Sequence, residues 1–166
     1  MMKVLRSGWM LDDVQHDQIA GALQKLGESI SARYLLLVDS AGQMVVEWGT
    51  SAACDPHSLG ALAASDMLAT TAMAQMMGEG DGFQSVLREG REHNVFLTQA
   101  GPAFVLVSLV GRDVPTGWAR MLIQRTTAHL ADILAAGQHV PLPELSFEQE
   151  NLADFCETAV DDLWME

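Results

Sequence analysis

Two stretches of this chain are apolar at successive positions. One is Leu35-Leu36-Leu37-Val38; the other is Phe104-Val105-Leu106-Val107, continued beyond Ser108 by Leu109 and Val110. Both have the length of a strand and fall well short of the roughly 18–20 residues of a membrane span. Successive side chains of a strand point to opposite faces, so strands of this kind have to be covered on both sides. The chain is therefore expected to build a sheet with helices on each face. A hydrophobic content of 49% supplies the core for it.

The elements around these stretches follow from local signals. Asp39-Ser40-Ala41-Gly42 is a tight-turn sequence: a side-chain acceptor comes first and a glycine free to take positive φ comes last. It joins a strand over residues 34–39 to a second over 44–48. Before them, Ile19, Leu23, Leu26 and Ile30 recur at helical spacing, with Val14 extending the stripe, and predict a helix over about 10–31. After them, Asp55 as N-cap and Pro56 at the first helical position open a second helix ending near Met77. Three strands with hairpin-length connections follow, over residues 83–87, 93–98 and 103–110, and the last should sit centrally. A third helix is predicted over 116–136, with Trp118, Leu122, Ile123, Leu130, Ile133 and Leu134 inward.

The second helix is unusual. Leu59, Leu62, Ala63, Thr70, Met73, Ala74 and Met77 form one apolar face, yet the reverse side carries Ala61, Ala64, Leu68, Ala72 and Met76. A surface helix ordinarily has a polar back. The expectation is that the sheet covers one side and another subunit or a partner covers the other. Asp66 interrupts the apolar pattern, either as an acid at the helix edge or as a contact to a partner's donor.

Residues 144–166 form a separate unit. They hold eight of the 22 acids and none of the nine Lys and Arg of a chain with net charge −13. A Pro-containing linker over 138–146 precedes them. Ser146 and Gln149 then make a capping-box pattern before an amphipathic helix over 147–165. Its apolar residues include Leu152, Phe155, Leu163 and Trp164, too much apolar surface to leave in water. Docking on the chain's own domain, docking on a subunit or partner, and loose attachment all remain open.

Several functions are disfavoured by what the chain lacks. The basic residues are scattered and the charge is negative, which argues against nucleic acid. There is no phosphate-binding GxxxxGK[ST] loop, no GxGxxG fingerprint, no HExxH and no GxSxG elbow. Cys54 and Cys156 have no CxxC spacing, so neither a zinc site nor a disulfide framework is expected. The five histidines show no paired ligand spacing. No catalytic residue, metal or cofactor is assigned. The N-terminal stretch carries acids at Asp12, Asp13 and Asp17 and does not look like a secretory signal, so a cytoplasmic protein is expected.

Within this order of elements, particular segments match a known pattern. Leu36-Leu37-Val38-Asp39-Ser40-Ala41-Gly42 resembles the LVDxxG hairpin of the Roadblock / dynein light chain family. Leu59-Gly60-Ala61-Leu62-Ala63-Ala64 resembles that family's Ala-rich second helix, and Gly117-Trp118-Ala119-Arg120 resembles the opening of its last helix, although Thr116 precedes the glycine here. The resemblance spans residues 10–136. It implies a longin-like α/β/α sandwich: a five-stranded antiparallel sheet with one helix on one face and two on the other, with the first hairpin in the central part of the sheet. The Roadblock-like domain would occupy residues 1–137, with the amphipathic helix outside it.

The resemblance further implies a homodimer made by the strand containing Phe83, Gln84, Ser85, Val86 and Leu87 and by the second helices. Bacterial members of the MglB type dock on a Ras-like, MglA-type small GTPase through the second-helix face, here Ala61, Ala64, Asp66, Leu68, Ala72 and Met76, and activate it. Other members are scaffolds without GTPase activation. The GTPase brings nucleotide and metal, so no nucleotide motif is needed in this chain. Arg88, Arg91, Arg112, Arg120 and Arg125 are arginine-finger candidates by residue type alone. No nucleic-acid or membrane partner is implied.

Overall fold

The computed structural model describes residues 3–50, 55–79 and 85–140. A short hairpin, β1 (Lys3–Val4) and β2 (Trp9–Leu11), leads into α1 (Asp13–Ser29). There follow β3 (Ala32–Asp39), β4 (Met44–Gly49), α2 (Pro56–Met76), β5 (Ser85–Glu89), β6 (His93–Gln99), β7 (Phe104–Gly111), α3 (Thr116–Ala135) and β8 (Gln138–His139). The main sheet is antiparallel, five-stranded and ordered β4-β3-β7-β6-β5. α1 and α3 cover one face and α2 the other. The predicted α/β/α sandwich is present.

The doubly apolar strands do what their pattern requires. In β3, Leu35 and Leu37 join the core under α1 and α3, while Tyr34, Leu36 and Val38 join the core under α2. In β7, Phe104, Leu106 and Val110 face the first core and Val105 and Val107 the second. β7 is the middle strand, as expected. The first hairpin is less central than the resemblance implies: β3 is second from the edge and β4 is the edge. Lys3 closes part of that edge, its Nζ donating to the Met44 and Val45 carbonyls at 3.1 Å each.

α1 starts later than periodicity suggests. Asp12 and Gln15 form a reciprocal capping box: the Gln15 N–H donates to Asp12 Oδ1 at 2.7 Å, and the Asp12 N–H donates to Gln15 Oε1 at 3.1 Å. The Gln15 amide also donates to the Ile133 carbonyl at 3.0 Å, tying the start of α1 to the end of α3. This turns Gln15 inward and leaves Val14, expected inside, exposed. In α3, Ala119 takes the inward position, and the adjacent Trp118, also expected inside, is 49% exposed. Neighbours on a helix point about 100° apart, so only one of the two can face the sheet.

A second, three-stranded sheet, β1-β2-β8, went unread in the sequence. Trp9 pairs with His139 and Met10 with Gln138, and the Val140 N–H donates to the Gly8 carbonyl. Residues 138–140, expected to begin a linker, are thus held in the fold. The predicted helix over 147–165, with Leu152, Phe155, Leu163 and Trp164, lies outside the described residues, as do Cys54 and Cys156. Among the described residues no helix is long and apolar enough to cross a membrane.

Candidate functional site

The outer surface of α2, with the adjoining open edge of β5, is the candidate site. α2 begins at Asp55, whose Oδ2 accepts from the Ser58 hydroxyl at 2.7 Å and from the Ser58 N–H at 2.9 Å. The Ser58 hydroxyl, followed by its backbone N–H, holds the Asp55 carboxyl below the usual carboxylate range. Pro56 occupies the first helical position.

How α2 is rotated on the sheet depends on two glycines. The turn of the first hairpin abuts the helix backbone. A Cβ on Gly60 would lie 2.6 Å from the Gly42 carbonyl oxygen, and one on Gly42, at φ +77°, would lie 2.7 Å from the Ala61 Cα. Side chains have no room there. Asp39 fixes the turn: its Oδ1 accepts from Ala41 N at 3.0 Å and Gln43 N at 2.7 Å, and its Oδ2 accepts from the Ser7 hydroxyl at 2.7 Å. With Gly60 against the turn, the buried residues of α2 are Gly60, Ala63, Ala64, Met67, Thr70 and Ala74. Apart from Met67 these are small.

The large side chains therefore face outward. Leu62 is 69% exposed, Leu68 64% and Met76 88%, with Met73 and Met77 also exposed. Of the predicted partner-binding residues, Ala61, Leu68, Ala72 and Met76 lie on this outer surface. Ala64 does not: it is 6% exposed and packs inward. Leu62, Met73 and Met77, grouped from sequence on the face opposite the predicted partner-binding residues, are exposed, and Met67, grouped with neither face, is core. Hydropathy could not separate two apolar faces. The missed signal is size, because Gly60, Ala63, Ala64, Thr70 and Ala74 mark the stripe where a helix can approach a sheet closely.

Asp66 is already partnered. Its carboxylate takes both guanidinium nitrogens of Arg88 from β5, Nη1 to Oδ2 at 2.6 Å and Nη2 to Oδ1 at 3.0 Å. This bidentate pair joins α2 to the edge strand. Asp66 is thus an acid at the helix edge with a donor from its own chain, and the pair occupies Arg88, one of the finger candidates. Arg112 Nη1 donates to the Gly90 carbonyl at 3.4 Å.

Among the described residues β5 pairs only with β6 and is the other edge of the sheet. Of the residues expected at a dimer edge, Ser85, Val86 and Leu87 lie on this strand and are half-buried; Phe83 and Gln84 lie outside the described residues. An unpaired strand edge is a template for a further strand. No group of three or more His, Cys, Asp or Glu among the described residues is placed to hold a metal ion.

A five-stranded antiparallel sheet between α2 on one face and α1 and α3 on the other, with the large apolar side chains of α2 turned outward, defines a longin-like α/β domain. The chain belongs to the Roadblock/LC7 domain family, whose pattern it matches over residues 21–109. Among solved structures it is similar to MglB of Myxococcus xanthus, with 26% identity, 71% of this chain and 95% of that one covered, and a TM-score of 0.68. It is also similar to an MglB with a tetrameric arrangement, with 25% identity, coverage of 79% and 98%, and a TM-score of 0.71. The gliding protein MglB of Thermus thermophilus shares its fold, with 24% identity, coverage of 79% and 98%, and a TM-score of 0.71. No curated protein matches the chain.

Proposed function

We propose that this protein is a homodimeric, non-catalytic regulator of a Ras-like, MglA-type small GTPase in the cytoplasm, working by docking. The outward apolar face of α2 carries this reading. Leu62, Leu68, Met73 and Met76 on this helix, and Met77 at its C-cap, are exposed together. Burying a side chain of this kind is worth about 1.5–3 kcal/mol. Five of them supply about 10 kcal/mol, the same size as the roughly 4–15 kcal/mol that association costs. The likeness to MglB proteins supports the GTPase as the partner, and the open edge of β5 beside α2 supports strand pairing in the dimer.

Regulation would work by positioning the GTPase's own switch residues. Arg88, which contacts α2, is held by Asp66, and a finger has to be free to reach the γ-phosphate. That same pairing favours the second reading, an assembly scaffold of this family with no effect on hydrolysis.

The test uses Leu68→Arg and Ala72→Arg on the outer face. Light scattering reports the dimer, and binding is measured to a purified Ras-like GTPase of the MglA type loaded with a non-hydrolysable GTP analogue. Both variants should keep the fold and lose one or both associations. Unchanged dimerisation and binding in both would refute the reading. GTP hydrolysis rates with the unaltered protein separate regulator from scaffold.

A further inference from the structure

We infer that residues 147–165 dock within their own chain, in the groove between α1 and α3 on the side of the sheet opposite α2. The groove has a volume of about 330 Å³. Ala22, Leu26 and Leu122 give it an apolar lining, and Lys25, Arg125 and His129 line it with nitrogen bases or cations. Among the described residues neither Lys25 nor Arg125 is engaged in a salt bridge. The acid on the Lys25 turn, Glu28, accepts from the Gln24 amide at 2.9 Å. In a chain with net charge −13, a groove bearing two cations and a histidine is a local inversion of charge.

The segment that complements it is in the same chain. Residues 144–166 carry eight acids and no Lys or Arg, and Leu152, Phe155, Ala159 and Leu163 recur at helical spacing between those acids. An apolar stripe flanked by acids matches an apolar groove flanked by cations. The outer face of α2 does not match: residues 56–76 contain no Lys or Arg, and the nearest cation on the neighbouring strand, Arg88, is taken by Asp66.

Connectivity favours the same groove. The contact between Gln15 and Ile133 makes α1 and α3 antiparallel, with the His129 end of the groove towards the end of α3. The described chain stops at Val140, five residues after α3 ends at Ala135. Residues 141–146 can span roughly 20 Å when extended. Running back along α3, the segment would pass Arg125 and Leu122 and reach the half-exposed Trp118, which lies four residues before Leu122 on the same stripe. This docking leaves the α2 surface free, so it stands or falls independently of the proposed regulator.

Hydrogen–deuterium exchange on the full chain tests it, comparing the unaltered protein with Lys25→Glu/Arg125→Glu. Residues 147–165 should exchange at least tenfold faster in the variant, with β3 and β7 unchanged as a control for folding. A nitroxide on Cys156, with Cys54→Ser, should broaden amide signals of residues 122–129 in the same chain. It should broaden none when label and isotope are placed on separate chains and mixed. Equal exchange of 147–165 in both proteins, broadening that maps to α2, or broadening only between chains would each overturn the proposal.

Discussion

The two faces of the sheet are packed by opposite rules. On one, α1 and α3 press large side chains inward: Ile19, Leu23 and Leu26 from α1, and Ile123, Leu130 and Leu134 from α3, with polar residues such as Asp17, Gln24 and Gln124 outside. On the other, α2 turns small residues to the sheet and leaves Leu62, Leu68, Met73 and Met76 in solvent. The first face is made to be finished within the monomer. The second closes its inner side by contact between backbones and holds its large apolar surface for something else. Amphipathicity identifies the inner face of a helix only where the back is polar; where both sides are apolar, the closest backbone approach decides.

The strongest way to break this comparison is to put one charge on each side of α2. Ala64→Arg would bury an unpaired cation, and a loss of about 3–5 kcal/mol is expected in denaturant unfolding. Ala72→Arg, on the exposed side, should shift stability by no more than about 0.5 kcal/mol while impairing association. Equal stability of the two would mean that α2 is rotated differently in solution.

Glycine plays the same part on the α1 side at one position. A Cβ on Gly27 would lie 2.3 Å from Trp48 Cζ3, against the indole ring, so Gly27→Val should cost about 1–3 kcal/mol by overpacking. The cost should shrink in a Trp48→Ala background, because the clash is with that ring; an additive double mutant would contradict the contact.

The Arg88–Asp66 pair sharpens the boundary between α2 and β5. Arg88 is more than half exposed, so Arg88→Ala is expected to lose only about 0.2–1 kcal/mol, and less at high salt. A larger loss would mark the edge strand as dependent on α2.

The smallest effect is at the cap. Because its folded pKa is depressed by Ser58, Asp55 contributes stability that is fully present above its unfolded pKa and is lost as pH falls through the lower folded value. The difference in melting temperature between the unaltered protein and Asp55→Asn should therefore be largest near neutral pH and vanish in acid. A difference that persists unchanged in acid would show that the carboxylate charge plays no part.

Much of the fold could be read locally. The doubly apolar strands, the Asp39–Gly42 turn, the Asp55-Pro56 helix start and the α3 stripe each announce themselves within a single element. The site was half legible: Ala61, Leu68, Ala72 and Met76 lie on the surface where expected, whereas Ala64 is core and Asp66 is paired. Val14 and Trp118 satisfied the apolar pattern but lost their inward places to Gln15 and Ala119. In α1 the capping box and the hydrogen bond to Ile133 make that choice, and neither is a hydropathy signal.

What the sequence by itself determined is that the sheet is covered on both faces, because strand geometry leaves Leu35–Leu36–Leu37–Val38 no other way to escape water. It also determined that α2 has apolar surface to spare. Only the tertiary structure decided which side of α2 is spare, through the contact of Gly42 with Gly60, and that Trp9 pairs with His139 to hold both ends of the described chain together. Burial is a property that each residue carries with it. Close approach and strand pairing belong to pairs of residues far apart in the chain, and only the folded arrangement brings them together.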